Sequence, residues 1–407
     1  MGEKDQAGEW IDAAAAAERL GVKPATLYAY VSRGVLRRRH APDGRRSLFD
    51  AAQVEELARR GKPRRPPGPG EPAIESAITA LGRDRPYYRG RDVLEMAGAL
   101  RFEQVAAWLW TGGDGDGAGE WRAAPGAGAA VAAAQAALPA GTLPLDRLQL
   151  AVAVLGITDP GRHRLDPAGV TATGRALVAG LVEALPVLGP EPGAPDGSIA
   201  GRLWARLCPH PAGPGLRRAL EAAMILLADH ELAASTVAAR VAASVRADPY
   251  AVAAAGIGAV SGPLHGAASY GVERLFAEIG GDPGGAAAAV DARLRAGERI
   301  PGFGHPVYKQ GDARFGRLMD LVRAAAPDRL AVPDAVLAAA AARRLPAPNV
   351  DFAVAALGAA AGTAPGAGEA VFAIARTAGW LAHALEEYAR RSPLRPRAVY
   401  TGPPVPA

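Results

Sequence analysis

From residue 143 to residue 245, apolar positions recur in blocks separated by glycine and proline. The spacing predicts helices over Leu143–Ile157, Val170–Leu188, Ile199–Leu207 and Leu216–Leu227. The last of these runs through Ala228-Asp229-His230-Glu231-Leu232 into Ala233–Val245, which places His230 between two acids inside a mostly apolar helix. Upstream, Leu94, Ala97 and Leu100 mark one face of a helix after Tyr87–Asp92, and another helix starts at Phe102 and ends near Trp110. Thr111–Gly128 is rich in Gly, Asp and Ala, lacks periodicity, and reads as an irregular surface loop. Few windows show the alternation of a strand. The fold class is mainly α.

The first 62 residues follow a different pattern. A short helix within Ala13–Val22 ends at Gly21. Pro24 opens a second, with Leu27, Tyr30 and Val31 on one face, and Gly34 stops it. Asp43-Gly44 is a hairpin signal flanked by Arg37–Arg39 and Arg45–Arg46, which reads as a basic β-wing. Asp50 then caps a third helix, with Gln53 closing a capping box and Val54, Leu57 and Ala58 facing inward. Residues 63–71 are a Pro/Gly-rich linker.

Composition agrees with closely packed helices. The chain has 407 residues, enough for two or three domains; 49% are apolar, Ala and Gly dominate, and aromatics are 5%. Charge divides the chain: residues 1–70 hold 14 Lys/Arg against 9 Asp/Glu, and the remaining 337 hold 32 of each. A basic module before a neutral body predicts an acidic partner for the front end. Cys208 is the only cysteine, which excludes an intrachain disulfide and fits a reducing compartment. MGEKDQAGEW lacks the apolar core of a signal peptide, and the apolar runs fall short of the ~20 residues a membrane span needs. A soluble, cytoplasmic protein is expected.

Candidate chemistry concentrates in Gly256–Phe315. His265 lies in Gly262-Pro263-Leu264-His265-Gly266 and His305 in Pro301-Gly302-Phe303-Gly304-His305-Pro306. Glycines beside a histidine let a ligand approach the backbone and let the imidazole project from a turn. With Asp351 they supply two polarising or proton-transferring groups and a carboxylate base. Lys309, Asp312 and Arg314 follow His305. Arg376 is a lone charge in an apolar run, costly to bury unless a carboxylate meets it. Arg395 and Arg397 lie near the end of the chain. Arginines pair bidentately with carboxylates, so the set predicts a substrate with more than one carboxylate and acid–base chemistry beside a carbonyl. A phosphate-binding loop, a nucleophile elbow and zinc-ligand spacings are absent from the sequence.

Seven segments occur in the order found in citrate synthases: YYRGRD (87–92), ADHELAASTVAARVAAS (228–244), SGPLHGA (261–267), GFGHPVYKQGDAR (302–314), NVDF (349–352), ARTAGWLAH (375–383) and LRPRAVYTG (394–402). Residues 72–407 thus resemble the citrate synthase family. The resemblance implies an all-helical body with a large domain (72–266 and 363–407), a small mobile domain of about 267–362, and an obligate dimer. It implies no permanently bound cofactor, with acyl-CoA as co-substrate and oxaloacetate or a related 2-oxo acid as acceptor. By matching motif, Asp351 would be the base, His265 the donor to the thioester oxygen and His305 the polariser of the ketone. His230, Arg314 and Arg376 would bind carboxylates, with Arg395 reaching in from a second subunit. Ile300, Gly302, Phe303, Gly304 and Lys309 would lie near CoA. The sequence departs from the family's usual residues at Ala267–Ser269, at Pro306 (commonly Arg) and at Leu227 (often His).

Residues 1–62 resemble the winged helix-turn-helix of MerR-type regulators. That likeness implies DNA binding through Thr26, Tyr28 and Arg33 of the second helix and Arg37, Arg38, Arg45 and Arg46 of the wing. The alternative to an enzyme is a DNA-binding regulator whose body senses a carboxylate metabolite.

Overall fold

The computed structural model describes residues 9–20, 22, 24–32, 35–41, 46–59, 74–113, 119–190, 197–266, 268–390, 392–398 and 401–402. The chain divides into two compact units, one of residues 1–73 with 81–83, the other of residues 74–80 with 84–407. Eighteen α-helices lie among the described residues, and none is long and apolar enough to cross a membrane.

The first unit carries helices Ala13–Leu20, Pro24–Ser32 and Ala51–Arg59 around a three-stranded antiparallel sheet. Ser47–Asp50 is the central strand, with Trp10 opposite Asp50 on one side and Arg38 opposite Phe49 on the other. Ile11, Leu20, Leu27, Leu36, Phe49 and Val54 form its core. Asp50 caps the third helix as expected, accepting from the Ala52 and Gln53 N–H groups at 3.1 and 3.3 Å. Gln53 does not close a capping box; its side-chain oxygen accepts from the Arg37 N–H at 2.7 Å instead. Arg38 and Arg39 stand exposed on the edge strand over the rings of Tyr28 (5.6 Å) and Trp10 (4.4 Å). Tyr28 and Arg46 are exposed and Thr26 is half-buried. Arg33, Arg45, the Asp43-Gly44 turn and the linker at 63–71 lie outside the described residues.

The second unit is built around the helix Ala367–Ala389, whose residues are buried almost all round, as its unbroken run of small and apolar side chains requires. It packs against the helices Phe102–Thr111, Pro167–Glu183, Pro214–Leu227, Ala234–Ser244 and Pro249–Val260. Small residues permit the close approach: a Cβ at Gly256 would lie 2.5 Å from the Trp380 ring. The helices Ala268–Ile279, Ala286–Arg295, Ala313–Ala325, Ala331–Ala342 and Val350–Ala361 also pack on one another.

Three expectations are corrected here. Residues 228–233 are a break between Pro214–Leu227 and Ala234–Ser244, so His230 is not within a helix; Glu231 takes a left-handed φ of 53° there. The stretch expected as surface loop contains Trp121, buried and stacked on Trp110 at 5.4 Å between ring centres, and a helix already begins at Ala127. The helix predicted to reach Leu188 stops at Glu183, leaving Val187 and Leu188 exposed.

Candidate active site

The His265 imidazole is held by the first turn of Ala234–Ser244. Its Nε2 lies 2.7 Å from the Ser235 hydroxyl and accepts from the Ser235 N–H at 3.3 Å. A backbone N–H can only donate, so Nε2 is the acceptor and the ring hydrogen sits on Nδ1. Trp380 Nε1 donates to the same hydroxyl at 3.2 Å, which orients the hydroxyl toward the imidazole. Phe372 closes one side, edge to face at 5.4 Å. Burial, with the positive Arg376 nearby, pushes the imidazole down to about 4, so His265 is neutral near pH 7.

His305 has the opposite tautomer. Donor-only groups face both ring nitrogens, but the Val307 and Tyr308 N–H groups reach Nδ1 at 3.0 and 3.2 Å while Arg314 Nη2 stays at 3.4 Å from Nε2, so the shorter pair makes Nδ1 the acceptor and puts the hydrogen on Nε2. Tyr308 stacks on the ring at 4.7 Å, and its hydroxyl lies 3.0 Å from His230 Nε2. The His230 ring stands 5.3 Å from that of His305, so the two histidines share one wall. Arg314 reaches 3.4 Å from His305 Nε2 while donating twice to Asp312, each at 2.9 Å. Asp312 also accepts from the Arg314 N–H at 3.1 Å, capping Ala313–Ala325, and from the Val350 N–H at 3.1 Å. Burial works against its ionisation, but the Arg314 guanidinium outweighs it and holds the carboxyl below the usual range.

Asp351 opens the helix Val350–Ala361, where its N–H donates to the capping Asn349 side chain at 3.1 Å. The glycine loop is joined to this start. The Asn349 N–H donates to the Gly302 carbonyl at 2.9 Å, its side-chain amide to the Gly304 carbonyl at 2.8 Å, and the Gly304 N–H to Ala347 at 2.8 Å. Gly302 is left-handed at φ 81°, and a Cβ there would lie 2.9 Å from that of Phe352, so no other residue fits. Burial pushes the Asp351 carboxyl up to about 7; Arg314 and Arg376 oppose the shift and Asp312 adds to it. A carboxylate tuned to that range accepts protons at neutral pH far better than an ordinary one.

Arg376 is buried in the central helix. Its Nε donates to the Leu227 carbonyl at 2.6 Å, and its guanidinium lies 4.4 Å from the Phe372 ring. One terminal nitrogen, Nη1, has no hydrogen-bond partner among the described residues. The sequence predicts that a carboxylate must meet this charge; Asp229 and Asp351 favour it electrostatically, but the Nε hydrogen bond goes to a carbonyl and donor capacity is left over.

Thus His230, His305 and Arg314 form one group, and His265 stands with Ser235, Trp380 and Phe372. Arg376 is electrostatically linked to His265, Arg314 and Asp351, and Asp351 to Arg314. Ile300 is buried, Phe303 is half-buried and bridged to Pro348, and Lys309 is exposed. Arg395 is exposed on a tail whose Leu394 N–H donates to Ser244 at 3.1 Å. Sequence reasoning missed Ser235, Trp380, Tyr308 and Asn349. Only Asn349, a capping residue two positions before Asp351, carries a local signal for its role.

The chain is similar to known proteins over most of its length. The family model for the C-terminal domain of citrate synthase matches residues 69–397. Citrate synthase 2 of Bacillus subtilis (strain 168) is 32% identical over 362 residues, covering 82% of this chain and 95% of the relative. The 2-methylcitrate synthase of Mycobacterium tuberculosis is 31% identical over 340 residues, covering 77% and 84%. The crystal structure of citrate synthase from Thermotoga maritima MSB8 superposes with a TM-score of 0.67 at 26% identity, covering 82% of this chain and 94% of that one. The chain belongs to the citrate synthase family of condensing acyltransferases.

Proposed function

We propose that the enzyme joins acetyl-CoA or propionyl-CoA to oxaloacetate, or to a related 2-oxo acid, and releases CoA. The observation that carries this reading is the pair of opposite imidazole tautomers. In His265 Nε2 is the acceptor and Nδ1 keeps the hydrogen, whereas in His305 the two shorter backbone bonds fall on Nδ1 and Nε2, which faces Arg314 at 3.4 Å, keeps it. Two fixed donors suit two carbonyl oxygens, one on each reactant.

In this reading Asp351 removes a proton from the carbon next to the thioester while His265 stabilises the oxygen of the resulting enol or enolate. A thioester α-proton is far too weakly acidic for a carboxylate unless that oxyanion is met at once by a preorganised donor. The new nucleophilic carbon attacks the keto carbon of the 2-oxo acid, whose oxygen takes a proton from His305. Water then cleaves the thioester, giving the tricarboxylate and free CoA. His230, Arg314 and Arg376 hold the acceptor's carboxylates, the last through its remaining donor. Ile300–Gly304 and Lys309 border the CoA. Closure of a small domain, about 267–362, over 72–266 and 363–407 excludes water until the carbon–carbon bond exists.

A second copy of the chain completes the enzyme. Val237, Val241 and Val245 recur every fourth residue on the outer face of Ala234–Ser244 and are 38, 43 and 64% exposed. Beside them the exposed positions of Pro249–Val260 are Ala251, Ala254 and Gly258. Two adjacent helices showing only aliphatic and small residues to solvent fit a self-complementary dimer seam. Arg395 sits on the tail attached to the same helix at Ser244, well placed to enter the other subunit's site.

For the first unit, the exposed Arg38, Arg39 and Arg46 beside Tyr28 support a winged helix-turn-helix that binds DNA phosphates. Salt-dependent retention of the full chain on duplex DNA tests that reading, and retention unchanged by Arg38→Glu removes it. The catalytic reading is tested by thiol release with acetyl-CoA and propionyl-CoA against a panel of 2-oxo acids. No thiol with any pair overturns it.

A further inference from the structure

We infer that Asp229 is a positioning residue for the 2-oxo-acid pocket: its buried carboxylate clamps the break at 228–233 so that His230 and Arg376 face one ligand. The inference rests on the reading of those two residues as carboxylate binders.

Three separate parts of the second unit meet at Asp229, which is fully buried. One oxygen, Oδ2, accepts from the Thr79 hydroxyl at 2.5 Å, from His383 Nε2 at 3.2 Å and from the Glu231 N–H at 3.2 Å. Its own N–H donates to the Tyr88 hydroxyl at 2.9 Å. The bond to the Glu231 N–H spans His230 and ends on the residue with φ 53°, so the carboxylate closes the turn that carries His230. The other side of the clamp is the central helix. The Gly379 N–H donates to the Ala228 carbonyl at 3.0 Å, and a Cβ at Gly379 would lie 2.3 Å from Asp229 Oδ1. Gly379 is three residues beyond Arg376, whose Nε holds the Leu227 carbonyl just before the break.

The clamp is itself braced. Arg240 donates to His383 Nδ1 at 2.6 Å, which forces the ring hydrogen onto Nε2, facing Asp229. Arg240 is fixed in turn by Glu387 at 2.8 Å and Glu386 at 2.7 Å. Asp229 Oδ1 has no hydrogen-bond partner among the described residues. An orphaned acceptor in a dry site is a cost, and a folding role alone would be met more cheaply by an apolar contact. It is retained where a charge and a fixed acceptor are needed together, here opposite Arg376, which helps hold the Asp229 carboxyl below its ordinary range against burial.

The test uses the full chain. Asp229→Leu removes the acceptor, Asp229→Asn keeps one at the Oδ2 position, and Thr79→Val removes a single contact should the first variant fail to fold. Initial rates are read against oxaloacetate and acetyl-CoA separately, with circular dichroism to confirm folding. Asp229→Leu and Thr79→Val should raise the oxaloacetate KM about tenfold, as loss of one charge-assisted hydrogen bond would. The acetyl-CoA KM should stay within about twofold, and Asp229→Asn, which keeps an acceptor but not the charge, should restore only part of the difference. Folded variants whose two KM values rise together, or not at all, overturn the inference. Arg376→Leu is the control: if it leaves the oxaloacetate KM unchanged, the reading of the site has failed rather than the clamp.

Discussion

Replacing Asp351 by Asn separates the energetic cost of the proposed base from its use. Its carboxyl moves from an ordinary 3.8 to about 7 because burial penalises the charge more than Arg314 and Arg376 favour it. The folded state therefore keeps its proton to higher pH than the unfolded chain does. Stability is undiminished below the unfolded value, declines as pH rises between the two, and carries the full penalty above about 7. A move of that size is worth about 4 kcal/mol. Asn stays neutral and escapes the penalty, so Asp351→Asn should raise Tm by about 4 to 5 °C near pH 8 for a chain of this size. Near pH 4 it should leave Tm unchanged, because the native carboxyl is then protonated in the folded state. Turnover should fall by at least about 10³ at every pH. In the unmodified enzyme kcat/KM should drop about tenfold for each pH unit below about 7. Thermal melts at the two pH values, followed by circular dichroism, and a thiol-release pH profile supply the readings. A Tm gain of equal size at both pH values, or a profile flat between about pH 5 and 8, would refute the reasoning.

Ser235→Ala removes the hydroxyl that Trp380 and His265 share; kcat should fall about tenfold or more with little change in oxaloacetate KM, and equal changes in both would argue against the tautomer assignment. Val241→Asp puts a charge in the aliphatic stripe and should shift the chain from dimer to monomer in sedimentation velocity at micromolar concentration, whereas an unchanged sedimentation coefficient would place the seam elsewhere.

The fold was readable where local rules govern it. Pro144, Pro167, Pro214 and Pro249 each open a helix, which fixes four of the helix starts in the second unit. The break at 228–233 was not readable, because it has no Gly or Pro; it exists because Asp229, Tyr88 and Thr79 hold it from distant parts of the chain. Trp121 was missed for a related reason. One aromatic in a run of Gly, Asp and Ala makes no periodic pattern, and its burial depends on Trp110 and on Phe102 at 6.4 Å. At the site, the histidines, Asp351 and the arginines stand out as polar residues in apolar or glycine-rich surroundings. Ser235 does not, since its role comes from facing His265 across 30 positions of sequence.

Helix Ala234–Ser244 has no idle side. Its outer face is the valine stripe, while its inner face bears Ser235 against His265 and Arg240 against His383. A displacement of this one rigid rod by a fraction of an ångström reaches both histidines before any substrate is involved. Under the proposed pairing through that stripe, specific activity would be a function of how dilute the polypeptide is rather than a fixed property of it. Preparations compared at different concentrations would differ in rate constant as well as in the number of paired subunits.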